Sequence, residues 1–136
     1  MKSTLLLVCL ALLITSCRNG ELDQRKYEEE KERLAKKERE NPLTFLSVIG
    51  TDKKNFIGQT VVKAIIQNSA SVTAYSNVRV KMLFFKNGLE VENHEDVVDK
   101  IIPANNSVNF SSKYFTPKGT DSVALSIMSA KYHRPE

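Results

Sequence analysis

The chain has 136 residues, 41% of them hydrophobic and 26% charged, with two cysteines, two histidines, no tryptophan and a net charge of +4. That length holds one domain, and the apolar fraction is that of a globular chain. Two cysteines exclude both a disulfide-dense scaffold and a four-thiolate metal site.

Met1-Lys2-Ser3-Thr4 is a short positive start, and Leu5 to Ile14 is an unbroken apolar run. Crossing a bilayer as a helix takes about 20 such residues, so the run is too short to span and fits the apolar core of a secretory signal peptide. Ile14-Thr15-Ser16-Cys17 follows it. Small side chains at Thr15 and Ser16 let an extended backbone enter a protease cleft, and Cys17 is a thiol able to carry lipid as a thioether. The other readings are a plain secreted protein with an incidental cysteine, or an uncleaved anchor. The four residues resemble a bacterial lipobox. The resemblance implies a signal peptide over 1–16, diacylglycerol and further acylation (palmitate-like chains) at Cys17, and a place on the cell envelope, the outer membrane if the cell is Gram-negative. Cys9 would leave with the signal, so no disulfide is possible in the mature chain. Two or more acyl chains hold a protein durably where one does not.

Residues 17–41 read as the lipidated N-terminus and a charged linker. From Arg18 to Asn41 there are eight basic and eight acidic residues, so the segment nets zero. Helix formers dominate; Glu29/Arg33 and Glu32/Lys36 are acid-first i,i+4 pairs, and Asn41-Pro42 ends the pattern. Leu22, Tyr27, Leu34 and Ala35 make no sustained heptad. The segment is either a helical stalk, about 28 Å long from Leu22 to Glu40, or a solvated tether; self-association through Leu22, Tyr27 and Leu34 is a third, purely structural use. Interleaved acids cancel the field a phosphate backbone needs, which excludes nucleic acid.

After Pro42 the period becomes two. Val62, Ala64 and Ile66 share a face, as do Val78, Val80, Met82 and Phe84, and Val123, Leu125 and Ile127; each is a strand with one buried side. Leu43–Ile49, 96–102 and 107–114 are weaker strands. Asn87-Gly88 is the strongest hairpin signal, and 68–71, 103–106 and 117–120 are further breaks. Six to seven strands predict an all-β, Ig-like antiparallel sandwich over 42–132, with a loose tail at 133–136. Gln59–Asn68, the Tyr75-Ser76-Asn77-Val78 opening of a long strand ending at Asn87-Gly88, and Pro103-Ala104-Asn105-Asn106-Ser107-Val108-Asn109-Phe110 resemble FxLYD-type and the related WHy-type sandwiches. Ala104 stands where glycine is usual in those families. The resemblance implies a fold and an envelope location, and no catalytic residue to carry over.

Little chemistry is written in the chain. Glu90, Glu92, His94, Glu95, Asp96 and Asp99 lack calcium-loop spacing, and one histidine cannot make a zinc site; they read as an exposed acidic hairpin. His133 lies in the frayed tail. There is no G-x-S-x-G, phosphate-cradling loop or H-E-x-x-H. The expectation is a non-enzyme without metal or cofactor. Tyr114-Phe115 is the one ligand-binding candidate, an aromatic platform for a sugar ring or a partner, set against the commoner fate of aromatics as core. Asn105-Asn106-Ser107 matches a glycan acceptor with little meaning in a bacterial lipoprotein. The function expected is a non-catalytic protein-interaction module held to the membrane through Cys17, with an envelope carbohydrate-binding module as the alternative.

Overall fold

A computed structural model describes residues 18–136. Residues 1–16, predicted to be a signal peptide, and Cys17 lie outside the described residues. Among the described residues no helix is long and apolar enough to cross a membrane.

Helix α1 runs Arg18–Glu40. From Gly20 to Leu34 every residue is exposed, Leu22, Tyr27 and Leu34 included. Among the described residues its ion pair within 4 Å is Lys36–Glu40, at 3.9 Å, and neither of the two pairs that spacing predicts; such exposed pairs contribute little. The backbone N–H and side-chain amide of Asn41 both donate to the Lys37 carbonyl, at 3.2 and 3.1 Å, and Pro42 then opens the short helix α2, Pro42–Phe45.

Ala35–Glu136 is one compact unit, and the helix up to Leu34 belongs to another. The unit therefore starts seven residues before the boundary predicted at Pro42, because the end of α1 packs on the β domain. Ala35 and Glu38 are buried. The Glu38 carboxylate accepts N–H bonds from Ser71, Val72 and Thr73 at 2.7, 3.1 and 2.8 Å, while the Tyr75 hydroxyl donates to its main-chain oxygen at 2.7 Å. The Arg39 guanidinium lies 5.6 Å from the Tyr132 ring centroid.

The rest is a β-sandwich of six strands: β1 Leu46–Lys54, β2 Thr60–Asn68, β3 Tyr75–Lys86, β4 Leu89–Val98, β5 Asn106–Tyr114 and β6 Ser122–Tyr132. They form two antiparallel sheets, β1-β2-β5 and β4-β3-β6. β1–β2 and β3–β4 are hairpins within a sheet; the other connections change sheet. Asn87 and Gly88 both take positive φ, 50° and 77°, the backbone a two-residue hairpin turn of right-handed twist requires. Asn77 also sits at positive φ, 49°, where the β3–β6 register slips between Ser76 and Arg79.

Two clusters fill the interior. Toward the helical end Leu46, Ile66, Tyr75, Val78, Val80, Val98 and Ile102 pack together. Toward the hairpin end are Val62, Met82 and Phe84, with Tyr114, Val123 and Leu125 against them. Asn68 ties the helical end shut: its amide N–H group donates to the carbonyls of Thr73, Ile102 and Pro103 at 2.9–3.1 Å, and its oxygen accepts from Ala70 N at 2.9 Å. Satisfying a buried amide this fully makes it a structural knot.

Candidate interaction surfaces

The two sides of the sandwich are unlike. On one, β1 and β6 approach so closely that a Cβ on Gly50 would lie 2.6 Å from Leu125 Cδ1. On the other, β4 and β5 are the edge strands of opposite sheets and flank a groove of about 390 Å³ lined by Asp96, Val98, Lys100, Phe110 and Ser112 among others. Lys100 Nζ donates to the Asn109 carbonyl at 2.7 Å, covering one acceptor of the β5 edge.

β4 departs from its sequence reading. It forms the acidic hairpin strand but is not exposed throughout: Glu92, His94 and Asp96 turn inward and are half-buried, while Glu90, Val91, Asn93, Glu95 and Val97 are exposed. The period-two signal was hidden because polar side chains occupy the inward positions. His94 stacks on Tyr114, centroids 3.9 Å apart and planes 8° from parallel, and Phe84 meets both edge-on at 5.9 and 6.0 Å. His94 Nε2 pairs with Glu92 Oε1, and Ser112 Oγ donates to Asp96 Oδ2. Burial, then the hydrogen-bonding and charge of Asp96, raises the Tyr114 hydroxyl far above its usual range, so it stays a neutral donor. Ser112 is bound to the Asp96 carboxylate and not to the histidine. Among the described residues no three His, Cys, Asp or Glu side chains converge as a metal site.

The Tyr114-Phe115 pair is thereby split. Tyr114 faces into the sandwich, and Phe115 projects from the hairpin end, 69% exposed. Two further residues that the sequence reading passed over are exposed at the same end, Phe56 at 100% and Ile57 at 54% in the β1–β2 turn. The signal was present as Phe56-Ile57 between strands, where an apolar pair in a turn has no core to enter. Lys54 Nζ and Thr60 Oγ1 both bond Thr116 Oγ1, at 2.7 and 2.6 Å, tying that turn to the segment after β5. Lys53, Val61 and Lys113 lie side by side in the last row of the outer face.

No family model matches the chain, and no curated protein matches it. Among solved structures it is similar to the X-ray structure of Northeast Structural Genomics Consortium target SoR45, at 12% identity and a TM-score of 0.34, over 64% of this chain and 81% of that one. A likeness of that size says nothing of function.

Proposed function

We propose that this is a lipid-anchored protein of the bacterial cell envelope, held at Cys17, whose sandwich is an Ig-like, non-catalytic module that takes a partner protein along its open β4–β5 side. The β1-β2-β5 and β4-β3-β6 strand orders support the Ig-like reading, since such sandwiches divide their strands between sheets through repeated crossings. The carrying observation is the groove between two edge strands. An edge presents unpaired backbone donors and acceptors, onto which an extended partner segment can add as a strand. Envelope carbohydrate is less well supported: Tyr114 is committed to His94.

Photo-crosslinking in intact cells tests the surface. A crosslinking residue at Val97 or Ser111 should capture one discrete partner that the same residue at Ser126 on β6 does not. Equal capture from all three positions would overturn the β4–β5 assignment. Mass spectrometry tests the anchor: membrane-extracted protein should begin at a lipid-modified Cys17, and an intact Met1 start would contradict it.

A further inference from the structure

We propose that the hairpin end of the sandwich docks on an anionic lipid bilayer, with Phe56, Ile57 and Phe115 entering the headgroup layer and Lys53, Lys54 and Lys113 facing lipid phosphates. The proposal goes beyond the interaction-module reading and does not depend on a lipid at Cys17.

Single exposed apolar side chains are ordinary on a protein surface. Here three lie on two loops that Thr116 joins, with Phe56 wholly in water. None has a core to return to, because each follows or precedes the last ladder pair at that end, Lys54–Thr60 and Thr60–Tyr114.

One outer face carries lysines without acids. The outward positions of β1, β2 and β5 run Ser47, Ile49, Thr51, Lys53; Val61, Lys63, Ile65, Gln67; and Ser107, Asn109, Ser111, Lys113. That face has three lysines and no carboxylate. The acids of this end lie elsewhere: Glu90 and Glu92 are on β4 of the opposite sheet, the exposed Asp121 stands before β6 and accepts from Asn87 N at 2.9 Å, and Asp52 is half-buried on the inner side of β1. Val61, only 6% exposed although it points outward, lies between Lys53 and Lys113 in the strand register. Apolar tips ringed by lysines are the composition of an interfacial membrane contact, where ring burial and attraction to anionic headgroups add.

A sugar ligand fits this end less well. Stacking on a ring needs neighbouring amides or carboxylates for the hydroxyls, and those in the turn are already used. Asn55 Nδ2 donates to Gln59 Oε1 at 3.0 Å, and Asn55 Oδ1 accepts from Ile57 N and Gln59 N at 3.2 and 2.9 Å.

The chain lacks tryptophan, so one introduced indole reports its own surroundings. Full-length protein carrying Cys17→Ser, which cannot be lipidated, is made with Phe56→Trp, Phe115→Trp or, as a control on the acidic strand, Val97→Trp. The leader is common to all three. With vesicles of phosphatidylcholine and phosphatidylglycerol, emission from positions 56 and 115 should shift to the blue and resist aqueous quencher, with little change at 97. Vesicles of phosphatidylcholine alone should do much less, and salt should weaken the effect. Adding Lys53→Gln and Lys113→Gln to the Phe56→Trp protein should weaken vesicle affinity by about thirtyfold, from the two lost lysine contacts. An indole at 56 and 115 that stays in water with both vesicles overturns the proposal. So does an equal shift at 97, or an equal shift with soluble polyphosphate or with peptidoglycan fragments and no lipid. Because neither Cys17 nor the β4–β5 edge is read by these probes, their failure leaves the function proposed above standing.

Discussion

The wholly buried carboxylate of Glu38 accepts the backbone N–H of Thr73 at 2.8 Å, and the same group takes the N–H of Ser71 and Val72. One side chain near the end of a charged helix thus closes three orphan donors in the β2–β3 connection. Removing it leaves them without that partner; Thr73 is buried and Val72 half-buried, Ser71 is exposed, and each donor that water cannot reach costs about 1–3 kcal/mol. Glu38→Ala should therefore lower unfolding stability by about 3 kcal/mol. Glu38→Gln, which keeps an acceptor oxygen but no charge, should cost less. Urea denaturation followed by circular dichroism measures both, and an unchanged Glu38→Ala midpoint would show that the helix end is not part of the folded unit.

Tyr75 gives that contact a pH dependence. Burial, and then the negative charge of Glu38, push its hydroxyl up to about 12. A phenol ionising near 10 in the unfolded chain and near 12 in the folded one contributes stability that is fully present below pH 10 and lost as pH rises through 12. Stability should therefore fall over that window. Tyr75→Phe should be less stable at neutral pH, through the lost bond to the Glu38 carbonyl, yet show a shallower decline between pH 10 and 12. Parallel slopes for the two proteins would remove Tyr75 as the cause.

How much of this was legible follows from where each signal resides. Asn87-Gly88 announces its turn because the conformation is a property of those two residues. The inward faces of β2, β3 and β6 announce themselves because burial demands apolar side chains. Glu38 does not: its partners are backbone N–H groups, which every residue has, so the pattern read as a wholly solvated helix. β4 hides for the opposite reason, since an edge strand tolerates Glu92, His94 and Asp96 on its inner face. Phe56-Ile57 was overlooked because an exposed apolar pair is noticed only once the strands flanking it are placed.

Gly50 lies just past the strand predicted over Leu43–Ile49 and is, in three dimensions, a constrained residue inside β1. A methyl group there would meet Leu125 Cδ1 at 2.6 Å, Lys63 O at 2.7 Å and Ala64 Cβ at 2.8 Å. Leu125 can turn away, but the Lys63 carbonyl belongs to the paired strand. Gly50→Ala should cost about 1–3 kcal/mol by overpacking, against the small gain usual when a strand glycine gains a side chain. A thermal melt showing equal or greater stability would mean that β1 and β6 separate readily.

The inward carboxylates of β4 should guard the open side against self-pairing. Edge strands are templates for association, and charges directed at the interior are one way of discouraging it. Glu92 and Asp96 hold this position beside His94 and Ser112. Glu92→Val with Asp96→Val replaces polar groups by branched apolar ones that suit a strand, so the monomer should keep a β-rich circular dichroism spectrum. Sedimentation velocity should nonetheless show dimers and larger species at concentrations where the parent chain is smaller. Tyr114→Phe should not, since it retains the ring stacked on His94. If the double variant sediments like the parent, the carboxylates do not control the edge, and the β4–β5 side is selective for some other reason.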